Sequence, residues 1–533
     1  MALNSDSMRS VPLTIEFPAD GNGGTVTITN RPYTMWYSIN EGDKILIDYH
    51  TNIPVKAGNK ISLYAKGTGS TRDKYLNISC SSGCYLYGNV MSLISRDDFE
   101  TLTEAPECAF YGLFCGDDNI HNHRLKPIVL PATILATGCY CRMFKECTSL
   151  TEVPELPATI LADFCYGSMF YGCTSLTTAS ELPATMLAKD CYQAMFYECS
   201  NLTEAPELPA TTLANGCYFK MFSYCSNLNE ASELPATILA RNCYRCMFEG
   251  CSHLEYVPEL PATALADFCY GSMFSGCTSL TTTSELPATT LANGCYQGMF
   301  RECTNLTNPP KLSATTLAKN CYRDMFEGCS HLEYVLELPA TTLAEDCYAH
   351  MFNKCIALTQ APKLPATTLA EECYANMFYA CTSLTNAPEL PAAKLAKRCY
   401  YGMFDGCSGL IKASKLPATT LEEKCYCGMF HGCTSLTQAP KLPSTTMASS
   451  CYAWMFQNCT GLTDAPDLPA TRLAYFCYGY MFSNCTSLKK APKLPATTLQ
   501  GACYQSMFEG CIDLNVKFHK TGTNYRLVSP LNQ

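Results

Sequence analysis

From Val129 onward the chain repeats itself every 26 residues without an insertion or a deletion. With Val129 as position 1, further units begin at Glu155, Glu181, Glu207, Glu233, Glu259, Glu285, Lys311, Glu337, Lys363, Glu389, Lys415, Lys441, Asp467 and Lys493, fifteen in all. A period this strict restricts the fold to stacked units, each covering the apolar face of the one before. Cys at position 11, Tyr at 12, Met-Phe at 15 and 16, Cys at 19 and Leu at 22 occur in every unit. Position 7 is Leu or Met and position 8 is nearly always Ala, whereas positions 9, 10, 13, 14, 17 and 18 vary freely.

On a helical wheel, positions 7, 8, 11, 12, 15, 16 and 19 gather on one half, and the variable positions on the other apart from position 18. The preceding "P-A-T" offers a proline and a Thr N-cap, and Gly at position 18, as in Gly172, Gly250 and Gly328, suits a helix C-terminus. The pattern predicts a helix over roughly positions 6 to 17. The remaining "C-T-S-L-T-x-A-P-x-L-P" sets inward Leu and Ala between outward polar residues. It predicts a short strand paired in parallel with the next unit, its length limited by proline. The expected architecture is an α/β solenoid of fifteen 26-residue strand-helix units.

The 37 cysteines fit that stacking better than they fit a secreted disulfide scaffold. Cys139, Cys147, Cys165, Cys173, Cys191 and Cys199 begin two columns of recurring buried slots, in which a thiol acts as a small apolar group. On one helix the two cysteines of a unit lie about 12 Å apart, too far to bridge. Equivalent cysteines of successive units lie about 5 Å apart, but an odd number per column strands one thiol. Free thiols are the expectation.

The "M-F-x-x-C-x-x-L" core followed by "P-x-L-P", as at Met143-Phe144 to Cys147 and Leu150, resembles the BspA-like leucine-rich repeats of bacterial surface proteins. It is also similar to related repeats of gut bacteria and their phages. The resemblance implies a leucine-rich-repeat-like fold and adhesion or binding as the function. The 26-residue unit and the invariant Cys-Tyr depart from the usual shorter family unit.

Residues 1–79 differ in character. "VPLTIEF", "TVTITN", "TMWYSI" and "KILIDYH" alternate apolar and polar residues between Gly, Asn and Asp turns, which predicts a small β-sandwich-like module. Residues 80–128 read as a linker with a degenerate, shortened capping repeat carrying "LTEAP" at Leu102 to Pro106. Residues 129–518 form the repeat array, and 519–533 a C-terminal cap or tail.

No catalytic constellation, metal site or cofactor fingerprint emerges. Cys108, Cys115, His121 and His123 do not match a zinc-finger spacing. Cys347 and His350 form a drawable nucleophile pair, but Cys347 sits in an invariant structural column. The net charge of −10 argues against nucleic acid as a partner. No apolar run long enough to cross a membrane occurs, and the start shows no recognisable export signal; a virion or cell-surface location is the expectation, and synthesis without Sec export is compatible with it.

What remains is surface. Phe164, Tyr171, Tyr197, Phe219, Tyr224, Phe268, Tyr379, Tyr401, Trp454, Tyr475, Phe476 and Tyr480 occupy variable positions. They either stack on sugars or anchor a protein, or else pack laterally on the neighbouring helix. A second stripe lies at position 1, with Glu from Glu155 to Glu285 and Lys in five later units. The functional expectation is a non-enzymatic binding or adhesion protein whose partner is a protein or glycan on a cell surface, or other virion proteins. Three settings stay open: a phage virion or host-recognition component, a bacterial cell-surface adhesin, and a purely structural spacer or fibre.

Overall fold

The computed structural model describes residues 6–48, 51–67, 69–335, 337–514, 517–521 and 524–528. It divides into two compact units, Met1–Ala262 and Thr263–Gln533.

In the first unit the strands are β1 (Thr14–Glu16), β2 (Gly24–Thr29), β3 (Thr34–Ile39), β4 (Ile45–Leu46), β5 (Thr51–Val55), β6 (Lys60–Lys66), β7 (Asn77–Cys80), β8 (Cys84–Asn89), β9 (Glu104–Ala105), β10 (Ile120–Asn122), β11 (Ile128–Val129) and β12 (Ile134–Leu135). A seven-stranded sheet runs in the order β10-β8-β1-β6-β3-β4, with β11 also on β8, and a three-stranded sheet runs β5-β2-β7. Alternation places Ile15, Val26, Ile28, Met35, Ile61, Leu63, Ile78 and Leu86 in the interior. The larger sheet extends past residue 79, because β8 pairs antiparallel with β1, and β10 and β11 lie parallel to β8. In the second unit β13 (Lys517–Thr521) and β14 (Asn524–Val528) form an antiparallel hairpin.

The repeats overturn the α/β reading. Among the described residues there is no α-helix, and the only helical elements are three short 3-10 turns before residue 102. Each segment expected to be helical is instead a ribbon of consecutive β-turns. Amides at positions 11, 13, 15, 17 and 19 bond back three residues, as in Cys139 to Ala136 (3.3 Å), Cys141 to Gly138 (3.2 Å) and Met143 to Tyr140 (3.2 Å). Amides at the even positions between them leave the coil. Tyr140, Arg142 and Phe144 donate to the carbonyls of Cys165, Gly167 and Met169, all at 2.9 Å. In the second unit Tyr322, Asp324 and Phe326 donate to Cys347, Ala349 and Met351 at 2.9–3.0 Å.

Such a ribbon needs a left-handed residue at the third place of every second turn. Positions 10, 14 and 18 have positive φ in all fifteen units, for example Gly138 (60°), Arg142 (58°) and Glu146 (60°). The position-18 glycines expected to end a helix, Gly172, Gly250 and Gly328, are three of these turn residues. The expected N-cap Thr lies instead in the ladder between coils, where Thr159 donates to the Thr133 carbonyl at 3.1 Å. The expected short strand shrinks to isolated parallel bridges, such as Glu204 with Glu230 at position 24. A second bridge column appears at position 6, as in Thr290 with Thr316.

The physical reason for the misreading is the period. Inward positions 7, 11, 15, 19 and 8, 12, 16 recur every four residues, and a helix of 3.6 residues per turn would let such columns drift. A four-residue turn keeps them fixed. Tyr at position 12 then stacks on Tyr, and Phe at position 16 on Phe. Tyr140–Tyr166 lie at 5.7 Å and 9°, and Phe144–Phe170 at 5.6 Å and 5°. The second unit repeats this with Tyr322–Tyr348 at 5.8 Å and Phe326–Phe352 at 5.7 Å. These are offset stacks, each worth about 0.5–1.5 kcal/mol beyond area burial.

All 37 cysteines lie among the described residues, and each is a thiol outside any disulfide. The two columns differ. Position-19 thiols donate to the Phe carbonyl of the preceding coil, as in Cys173 to Phe144 (3.0 Å), Cys329 to Phe300 (3.1 Å) and Cys459 to Phe430 (3.0 Å). That carbonyl already accepts the amide three residues on, so one oxygen joins two coils. Position-11 thiols are buried, and that of Cys165 lies 4.0 Å from the Cys191 carbonyl. Burial raises the thiol pKa of both Cys321 and Cys329.

At the start of the repeats, "LTEAP" does not sit where regular units place "L-T-x-A-P". β9, from that phrase, pairs in parallel with β12 at positions 6 and 7. Phe110 stacks on Tyr140 at 5.3 Å and Phe114 on Phe144 at 5.6 Å, so this coil is offset by 30 residues rather than shortened. Its other side meets β7, where the Ile78 amide donates to the Leu113 carbonyl at 2.8 Å and Asn77 to Gly112 at 3.1 Å.

Two substitutions test this architecture. Ala380→Gly, at φ 55°, should stabilise the protein by about 0.5–1 kcal/mol in urea denaturation, whereas the same change inside a helix costs about 1 kcal/mol. Cys329→Ala should cost about 1 kcal/mol more than Cys321→Ala, because the Cys329 thiol donates a short hydrogen bond to the Phe300 carbonyl.

Candidate binding surface

The turn ribbon turns positions 11, 12, 15, 16 and 19 inward, leaving 9, 10, 13, 14, 17 and 18 on the outward side. All twelve aromatic candidates fall on these outward positions.

In the first unit Tyr171 and Tyr197, both at position 17, stack at 4.6 Å and 13°, and Tyr224 meets Tyr197 edge-on at 5.5 Å. Lysines cover them, with Lys145 at 4.8 Å over Tyr171 and Lys220 at 5.7 Å over Tyr197 and 5.8 Å over Phe219. Phe164 lies under Arg72 at 4.8 Å. In the second unit Trp454 meets Phe476 at 4.9 Å and Tyr480 at 6.1 Å, with Tyr475 beside Phe476 at 6.2 Å. Tyr475 is 61% exposed. Phe268 lies across Gly294 of the next coil, leaving no room there for a Cβ, and Tyr379 and Tyr401 are exposed.

Cys139, Cys147, Cys165, Cys173, Cys191 and Cys199 are all fully buried and belong to the core. On the strand side of the first unit, Glu204, Glu207, Glu230 and Glu233 rim a recess of about 440 Å³. In the second unit Lys363 pairs with Glu337 at 3.5 Å across coils at position 1.

Chemistry-bearing residues do not converge. Among the described residues no three His, Cys, Asp or Glu form a group that could hold a metal. His123 accepts the Leu125 amide at 3.0 Å and packs edge-on against Tyr85 and Tyr87. Cys347 is fully buried and its thiol pKa is pushed well up by burial. Among the described residues no helix is long and apolar enough to cross a membrane.

One polar network escaped sequence reasoning. Asp405 Oδ1 lies 2.7 Å from His431 Nδ1, His431 Nε2 lies 3.0 Å from Asn458, and Asn458 accepts from Asn484 at 3.0 Å. The signal was present in the period, because residues 26 apart in the repeats are neighbours. Lys319–Glu345 at 2.6 Å, Arg398–Glu372 at 2.7 Å and Lys397–Glu371 at 3.7 Å follow the same rule.

Stacked coils with an invariant leucine at position 22 define a leucine-rich-repeat protein. The family model for the BspA type leucine-rich repeat region (6 copies) matches residues 116–255, 216–359, 311–429 and 402–525. The chain belongs to the BspA-type leucine-rich repeat family. No curated protein matches it.

The hydrogen bond that His431 donates to the Asp405 carboxylate raises the His431 pKa. The stability this adds is fully present below the unfolded imidazole value of about 6.5 and is lost as pH rises through the folded value. His431→Gln should therefore lower the unfolding midpoint more at about pH 5.5 than at about pH 8.5. The difference should stay within about 1 kcal/mol, because the pair is partly exposed.

Proposed function

We propose that this chain is a non-catalytic recognition protein that presents the outward sides of its turn ribbons to a protein or glycan on a cell surface. One observation carries this reading. Trp454, Phe476 and Tyr480 hold bulky rings at positive φ (56°, 52° and 55°), at positions where other coils carry glycine. Non-glycine residues take this left-handed conformation throughout the repeats, so what sets these three apart is that their rings cluster on the outward side. Core packing does not require these rings, because coils with Gly402 or Gly428 at position 14, or Gly294 at position 10, keep the same hydrogen bonds to the next coil. Aromatic rings with low side-chain entropy and a large contact area are efficient anchors. The family's association with adhesion points the same way.

The test is adsorption of labelled full-length protein to intact bacterial cells and to glycan-coated surfaces. Saturable binding, weakened about tenfold or more by Trp454→Ala with Tyr475→Ala, is the expected result. A spacer would show no saturable binding at all, and the double variant would change nothing.

A further inference from the structure

Outward side chains lean over the same position of the following coil. Tyr224 covers Gly250, Asn376 covers Gly402, and Asn484 covers Gly510, each so closely that a Cβ on the glycine would clash. Where two glycines follow one another, the second is left bare. Gly402 and Gly428 are such a pair at position 14, and nothing lies within 4 Å of a Cβ built on Gly428. Gly406 and Gly432 repeat the arrangement at position 18, where Gly432 meets only the Gly406 backbone. The fold does not demand these glycines, because Asn376 and Trp454 take the same left-handed position in the neighbouring coils.

The bare stretch has functional groups around it. Beyond Gly428 stands Trp454, whose ring contacts, Phe476 and Tyr480, both belong to the following coil. On one flank, at position 13, is Tyr401, 39% exposed. On the other, at position 17, run Asp405 and His431 with their 2.7 Å hydrogen bond. A trough with a backbone floor, an indole at one end, a phenol on one side and a carboxylate–imidazole pair on the other is suited to a flat ligand. Such a ligand is apolar on its faces and hydroxylated at its rim.

Building on the recognition role above, we propose that Gly428 floors a saccharide subsite in which a neutral pyranose packs against Trp454 and Tyr401, its vicinal hydroxyls bonding to Asp405 and His431. A sugar presents C–H faces to aromatic rings and equatorial hydroxyls to a carboxylate that accepts two hydrogen bonds. The trough is open rather than enclosed, so it takes one residue of an extended chain.

Trp36 and Trp454 are the only tryptophans, so full-length protein carrying Trp36→Phe reports on Trp454 alone. Its fluorescence would be titrated with cello-, chito- and manno-oligosaccharides. The expected result is a saturable change with at least one of them. Gly428→Asn, which copies Asn376 and fills the trough, should weaken that binding about tenfold or more without lowering the unfolding midpoint. Tyr224→Ala, in the other unit, should leave it unchanged. Two results would overturn the subsite: no response to any of the three probes at millimolar concentration, or equal affinity in Gly428→Asn. If cell adsorption of the wild type persists in either case, the recognition role stands and only the sugar subsite falls. Loss of both removes both.

Discussion

The hydrogen bond that governs this molecule is the one that leaves its own coil. From position 10 to position 18, alternate amides donate to the carbonyls of the following coil, and those between them close turns within the coil. Slipping two coils by one residue would exchange the two classes of amide and strand both. The backbone therefore forbids odd slips, and the side-chain columns select among the even ones. Tyrosine falls on tyrosine, phenylalanine on phenylalanine, and the position-19 thiol on the carbonyl of the phenylalanine behind it. That last contact gives cysteine a role that alanine or valine cannot fill, since its sulfur is both apolar enough to bury and able to donate.

Much of this was legible beforehand. Strict repetition identified the stacked unit, and the invariant positions identified the core. Cys139, Tyr140, Met143, Phe144, Cys147 and Leu150 are all fully buried. The local conformation was not legible to a helical wheel, which accepts any two-in-four pattern over a dozen residues. Two signals would have separated the alternatives. The inward columns recur every four residues with no drift, and Gly, Asn and Asp gather at positions 10, 14 and 18, where left-handed backbone favours them. The "LTEAP" phrase misled for a related reason. Five residues matched a strand motif, but their hydrogen bonds place them elsewhere in the coil.

The candidate surface was legible only as a list of outward rings. Which rings meet depends on the forward lean of each side chain, which brings together residues 26 apart. Tyr171 with Tyr197, Trp454 with Tyr480 and Asp405 with His431 are all pairs of this kind. The bare glycines stand out by the same rule, as places where nothing leans.

Because the core contacts between adjacent coils follow one pattern throughout the regular repeats, each unit is interchangeable with any other as far as its neighbours can tell. A crossover between two near-identical stretches of the gene would delete or duplicate whole coils, and the new junction would find the same tyrosine, phenylalanine and thiol waiting on both sides. Such a gene can lengthen, shorten or reshuffle its exterior in single recombination events. Its exterior can therefore change faster than point mutation alone allows, with no repacking of the interior.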